Sequence, residues 1–325
     1  MKLLKRTKDA FWEKARQLII SNNWDNTAAR VGLFTPRIIV RMDGGLASQM
    51  LFFSVGYVAA KKANLPLYLD VTWFQKYGQD LNGVNNRGFN LFNAFPAIKE
   101  NYEDKTITQK DIPSLFLRLF KDSSNTRDFT EYDPALYTGH SLYLNYYYAN
   151  VLYFADEQEE LSRLFRFGES MTEHEQVLLQ EINTCTSCAL HIRRGDYCGT
   201  IHDVCTENYY KKAIACMQER HPDVVFYVFT NDEGWTEKFL NQSCSGIKYI
   251  MLKDRSEATP ISDMHLMAAC KHAIISNSGF SFFPAFLTYS KDKDVMMPEI
   301  WINGKQKDLS RDIFYMPGWI KLSID

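Results

Sequence analysis

The chain has 325 residues, more than one hydrophobic core usually serves, which predicts two domains of roughly 150 residues each. Hydrophobic residues make up 46% and charged residues 23%, as in soluble globular proteins, and a formal net charge of −2 excludes the basic excess of a nucleic-acid binder. No run reaches the roughly 18 apolar residues a membrane span needs, and no secretory signal pattern opens the chain, so the expectation is a cytoplasmic protein.

Residues 1–35 interleave Lys2, Lys5, Arg6, Lys8, Lys14 and Arg16 with Leu3, Leu4, Phe11, Trp12, Leu18, Ile19 and Ile20. Two readings stand: a basic amphipathic helix resting on the inner face of an anionic membrane, or a docked terminal helix.

A first domain is expected over residues 36–170. Its opening run, 36–42, is rich in β-branched residues and is broken by Asp43-Gly44-Gly45. From Ser48 an apolar stripe of helical period runs to Lys62, and 66–71 reads as the next strand. This β-loop-α-β layout with glycines at its first turn is that of a Rossmann-like half. Residues 75–90 and 121–128 read as loops, 141–148 as a strand, and 156–165 and 172–182 as helices on either side of Gly168. A hinge is expected across 165–186.

Over 186–300 strands and helices alternate: strand 187–192, helix 207–219, strand 224–229, strand 247–252, helix 261–271, strand 273–276 and helix 279–287. That alternation predicts a parallel sheet with right-handed crossovers, so the fold class is α/β with two facing Rossmann-like domains. Residues 301–325 are expected to form a C-terminal tail.

The seven cysteines, odd in number and all between Cys185 and Cys270, do not form a disulfide framework. Cys185 and Cys188, with Cys198 and Cys205 downstream, admit a structural zinc as a minor reading, because Cys188 opens a strand.

The most informative segment is His191-Ile192-Arg193-Arg194-Gly195-Asp196-Tyr197. A guanidinium is charged at any physiological pH and costly to bury unpaired, so adjacent arginines at a strand end call for an anion. Their planar fork suits phosphate oxygens, and the carboxyl ends of parallel strands are where α/β sheets bind nucleotides. An internal ion pair to Asp196 competes with this, expected more for Arg194 than for Arg193, and His191 also reads as a satisfied core histidine. Two further loops follow strands and gather at the same edge: 230–235, with Asp232, and Asn277-Ser278-Gly279-Phe280, where a helix N-terminus favours phosphate. Asp292-Lys293-Asp294 has a carboxylate spacing that could hold a cation, but reads as a solvated loop.

Together the block from His191 to Tyr197, Gly44-Gly45-Leu46-Ala47-Ser48-Gln49-Met50, the run 229–235 and the run 263–283 resemble the α-1,2-fucosyltransferases of glycosyltransferase family 11. The likeness extends from about Ile38 to Trp301. It implies a GT-B-like fold, a GDP-fucose donor on the second domain, a glycan acceptor on the first, and no metal or other cofactor. It also implies that Arg193 binds the β-phosphate, that His191 and Asp263 contact guanosine, and that Ser278 and Phe280 border the diphosphate. Arg194, Asp232 and Asn277 complete the expected donor site, and Gly44, Gly45 and Gln49 the acceptor-side loop. Asp43 and Asp196 are the candidates for a general base. Two departures bear on acceptor preference: Ala47-Ser48 stand where the family has Gly-Asn, and Gly279 with Phe282-Phe283 stands for Ser and paired Trp. A transferase for another nucleotide sugar and a non-catalytic GDP-binding module remain as alternatives.

Overall fold

A computed structural model describes residues 14, 15, 18, 34–76, 87–121, 130–137, 139–168, 171–244, 246–253, 260–287, 292–304 and 307–325. The expected amphipathic segment 1–35 and the loops 75–90 and 121–128 lie largely outside them. The chain divides into two compact units, Met1–Asn93 with Ala97–Ala149, and Asn150–Asp325 with Ala94–Pro96. The division therefore falls after Ala149, ahead of the expected hinge at 165–186. Both expected helices after the strand near 142 belong to the second unit.

In the first unit β1 (Ile38–Arg41) leads to α1 (Leu46–Ala63), β2 (Leu67–Asp70), β3 (Thr106–Ile107), α2 (Ser114–Phe120) and β4 (Leu142–Leu144). The strands form one parallel sheet in the order β3-β2-β1-β4. β1 is central, and Ile38, Ile39 and Val40 are fully buried, which is why the run is apolar without alternation. At Gly56 an added Cβ would lie 2.9 Å from a Val40 methyl, so α1 can sit down on β1 only because that residue has no side chain. Helix α1 ends at Asn64, whose left-handed φ of 53° lets its N–H cap the carbonyls of Ala60 and Lys61. The other sheet face packs Ile39 and Tyr143 against Phe34, Phe116 and Phe120, with Phe34 edge-on to both phenylalanines. The strand expected over 141–148 is only three residues long.

The second unit contains α3 (Glu173–Thr184), β5 (Ser187–Ile192), α4 (Glu207–Arg220), β6 (Val225–Thr230), α5 (Glu233–Ser243), β7 (Lys248–Met251), α6 (Pro260–Ala269), β8 (His272–Ile274), α7 (Gly279–Leu287), β9 (Val295–Pro298) and β10 (Ile320–Leu322). Its six-stranded sheet runs β10-β9-β8-β5-β6-β7, with every pairing parallel. Helix starts follow local chemistry. Thr172 and Glu175 form a reciprocal capping box at α3, and Thr206 and Asp232 accept the Tyr209 and Trp235 N–H groups at α4 and α5.

The supposed tail 301–325 is part of this unit. It supplies β10, and it packs Phe314 and Trp319 against Phe282, with ring centroids 4.8 and 5.5 Å apart. Both units are Rossmann-like α/β layers. No described helix is long and apolar enough to cross a membrane.

Candidate active site

Strands β8, β5 and β6 are neighbours, so the loops at their carboxyl ends lie side by side. β5 releases Arg193–Tyr197 from its end at Ile192, β6 releases Asn231 and Asp232, and β8 releases Ser276, Asn277 and Ser278 into α7. The expected phosphate edge is thus assembled from adjacent strands.

His191 faces inward, 3% exposed, with its Nδ1 2.8 Å from the Ser276 hydroxyl and its ring 5.6 Å from that of Phe280. Burial, reinforced by the Arg193 charge, pushes its pKa down to about 3. The imidazole is therefore neutral at physiological pH and forms the floor of the edge.

The two arginines divide their tasks differently from the expectation. Arg193 Nη2 donates to Asp196 Oδ2 at 2.8 Å, and its guanidinium lies 5.4 Å from the Tyr197 ring centre. Arg194 instead reaches Asp232, Nε to Oδ2 3.7 Å, and stacks 4.0 Å over Trp235. The pairing of Asp196 with Arg194 is thereby corrected: the chain turns at Gly195, so consecutive guanidinium groups point to different carboxylates. Among the described residues, neither the buried Nε–H of Arg193 nor that of Arg194 finds a hydrogen-bond acceptor. Asp232 combines its pairing to Arg194 with capping α5, its Oδ1 accepting from Trp235 N–H at 3.2 Å.

Although burial pushes the Asp196 carboxyl up, the hydrogen bond and charge of Arg193 outweigh it and hold the pKa below the usual range. Such a carboxylate is a weak base. Asp43 behaves oppositely, since burial raises its pKa against the pull of Arg41, 3.0 Å away. Opposite Arg41 in the sheet, Asp70 is 2% exposed and accepts from the Tyr143 hydroxyl at 2.7 Å and from the Thr72 N–H at 3.0 Å.

Two expected contact residues prove to be clamps. Asn277 is 1% exposed, and its amide donates to the carbonyls of His202 (2.9 Å) and Trp301 (3.0 Å) while its oxygen accepts from the Cys205 thiol. Both of its N–H donors are committed to holding loops together. Gln49 is fully buried; its Nε2 donates to Gly44 O and Gly88 O, and its Oε1 accepts from Asn90 N and Leu91 N, all within 2.9–3.0 Å. Every hydrogen-bonding position of that amide is used. The loop it braces still requires glycine at position 44, where φ is +70°.

Ser278, 6% exposed, accepts the Phe280 N–H at 3.3 Å where α7 begins, and the Tyr197 hydroxyl lies beside it. Asp263 stands in the first turn of α6, which follows β7 and so starts on the same carboxyl side of the sheet.

Asp294 is no solvated loop residue: its oxygens take Arg220 Nε at 2.6 Å, Arg220 Nη2 at 3.0 Å and His221 Nε2 at 2.8 Å. His221, His272 and Asp294 are the group of possible metal ligands among the described residues, at the sheet's opposite edge. The cluster is already tied together by hydrogen bonds: His272 Nδ1 accepts the Asp294 N–H at 3.1 Å, and Arg220 holds the carboxylate. The cysteines form no such group among the described residues, and all seven are free thiols.

Sequence reasoning missed Asn231, whose Oδ1 accepts Arg194 N–H at 2.9 Å and whose Nδ2 donates to Asp196 Oδ1 at 3.2 Å. Its position directly after a strand, next to Asp232, was the available signal.

The model of glycosyl transferase family 11 matches residues 120–323, which contain every loop of this edge. The chain belongs to glycosyltransferase family 11. Among its relatives, this family 11 member is 29% identical to the α-1,2-colitosyltransferase of Escherichia coli over 83% of this chain and 93% of that one. The O-antigen biosynthesis glycosyltransferase WbnK of Escherichia coli shares 28% identity over 86% of this chain and 99% of that one. Human galactoside α-(1,2)-fucosyltransferase 1 is 24% identical over 53% of this chain, a match spanning 50% of the human protein.

Proposed function

We propose that this glycosyltransferase moves L-fucose from GDP-β-L-fucose to a galactoside hydroxyl of a glycan, with inversion to an α-1,2 linkage and without a metal ion. The observation that carries the reading is the Arg193 guanidinium at the carboxyl edge of β5, steadied by Asp196 yet retaining a buried donor with no acceptor among the described residues. A diphosphate would supply that acceptor. The start of α7 at Ser278 offers backbone dipoles of the same sign beside it.

In the reaction the acceptor oxygen bonds to the anomeric carbon as the bond to the β-phosphate oxygen breaks, and the electron pair leaves on GDP. Charge growing on the diphosphate is what the site must stabilise, and that is the role assigned to Arg193. The acceptor proton must go to a base, and Asp196, which Arg193 and Asn231 hold ionised, is a weak one.

The test is to incubate the protein with GDP-fucose and a panel of β-galactosides, with and without EDTA, and to look for fucosylated product. One well-placed donor to a developing anion is worth on the order of 3 kcal/mol, so Arg193→Ala should lower turnover by about a hundredfold or more. Near-normal turnover in that variant would refute the assignment, and loss of product on chelation would refute the metal-free route. GDP binding with no product on any acceptor would leave a nucleotide-binding module. A colitosyl donor is the second reading, favoured by the relative aligned over 93% of its length, and GDP-colitose in the donor panel decides between them.

A further inference from the structure

We propose that Asn231 is a positioning residue for Arg193, acting through Asp196, and that Gly195 is glycine to admit it. The assignment rests on Arg193 meeting a diphosphate.

Asn231 sits at the end of β6 and bridges to the loop after β5 in both directions. Its Oδ1 accepts the Arg194 N–H at 2.9 Å, which fixes the backbone just after Arg193. Its Nδ2 donates to Asp196 Oδ1 at 3.2 Å, and the other oxygen of that carboxylate holds Arg193 Nη2 at 2.8 Å. Asp196 therefore has one oxygen on a neutral amide of the neighbouring strand's loop and one on the guanidinium. Free to rotate, it could carry Arg193 with it. Held at both oxygens, it presents the rest of the fork in one orientation, the preorganisation that stabilising a leaving group requires.

Space confirms the dependence. A Cβ on Gly195 would lie 2.6 Å from Asn231 Nδ2, so any side chain there drives the amide off. The chemistry is equally selective, because position 231 needs an acceptor toward a backbone N–H and a donor toward a carboxylate on one short side chain. Aspartate keeps the first and loses the second. Asn231 and Asp196 are both exposed, so these bonds add little to stability and act on orientation.

The groups around Asp196 are Arg193, the Tyr197 hydroxyl beside Ser278, and the His202 imidazole, which feels the Asp196 charge and whose ring lies 5.1 Å from that of Tyr197. Asp203, held by Gly199 N–H, lies farther along the same loop, and the Arg194–Asp232 pair flanks Asn231 on its other side. An Asn231→Asp carboxylate would face that of Asp196 across the present 3.2 Å contact, and two such groups cannot both ionise without cost. A proton shared between them restores the lost hydrogen bond, so this variant should recover as the pH falls.

The experiment compares wild type, Asn231→Ala and Asn231→Asp in GDP-fucose turnover and GDP binding from about pH 8 to about pH 5, with thermal unfolding alongside. Asn231→Ala should lower kcat roughly tenfold, with a smaller change in KM and an unchanged unfolding midpoint. Asn231→Asp should be the poorer enzyme at pH 8 and should regain activity relative to wild type toward pH 5. Wild-type kcat in Asn231→Ala, or an Asn231→Asp profile parallel to wild type, would overturn the proposal. If Arg193→Ala loses turnover while Asn231→Ala does not, only the role of Asn231 fails; if Arg193→Ala is fully active, the reading of the site fails. A crystal structure of Asn231→Ala reports on positioning whatever the substrate: an Arg193–Asp196 pair still at 2.8 Å in the same place overturns it, and a displaced pair supports it.

Discussion

At the residue scale the chain separates side chains whose hydrogen-bonding groups hold loops together from one that keeps an unused donor, a distinction that polarity does not reveal. Gln49, Asn277 and Arg193 all follow strands or glycine turns, and in the sequence each reads as a contact residue. Gln49 and Asn277 commit their amides to backbone carbonyls and amides, whereas Arg193 retains a donor. Gln49→Met, similar in volume, would leave Gly44 O, Gly88 O, Asn90 N and Leu91 N without their partner. It should lower stability in urea by about 3 kcal/mol while GDP affinity stays as it is. A variant as stable as wild type would show that the amide is not a clamp. Partner choice is decided by folded geometry, which is why Arg194 could be assigned to Asp196 from spacing although it goes to Asp232.

At the scale of elements, the alternation of strands and helices from β5 to α7 was legible because fully buried parallel strands are short apolar runs bounded by polar turns. β10 was not legible. Three half-buried residues carry no periodicity, and they become a strand only because β9 offers an open edge for them. Phe282, fully buried on α7, joins that C-terminal segment to the sheet through Phe314 and Trp319. Phe282→Ala should cost about 3–5 kcal/mol and be read as a lower midpoint in chemical denaturation; an effect under about 1 kcal/mol would mean the segment is not part of the core. Gly195→Ala tests the joint between two loops. It should impair turnover as Asn231→Ala does, and combining the two should add little, because both break one contact.

For the whole molecule, burial of basic groups in the second unit sets the response to pH. His191 and His272 have pKa values pushed down to about 3 and about 4 by burial, aided by the Arg193 and His221 charges respectively, from an ordinary 6.5. The unfolded chain therefore takes up protons first, and stability falls as the pH drops from about 6.5 toward those values. Lys293, whose ammonium is turned inward to the Ala285 carbonyl, is pushed down by burial to about 7 from 10.5. The same sign holds for its contribution, which grows with pH between about 7 and 10.5, where only the unfolded lysine is protonated. The buried thiols of Cys188, Cys205 and Cys270, pushed up by burial, oppose it on the alkaline side. Urea midpoints should thus increase from pH 4 to about 7, and above that Lys293→Met should lower the slope of midpoint against pH relative to wild type. Parallel wild-type and Lys293→Met profiles above about pH 7 would contradict it. What the amino-acid order settled unaided was the class of the fold, two parallel α/β layers, and the strand edge on which the two arginines stand, since strand burial, glycine turns and adjacent arginines are local properties. Tertiary structure alone decided where the two units part, which carboxylate each arginine meets, and that Gln49 and Asn277 brace loops. Those outcomes depend on residues tens of positions apart arriving within hydrogen-bonding distance, and sequence spacing does not encode that distance.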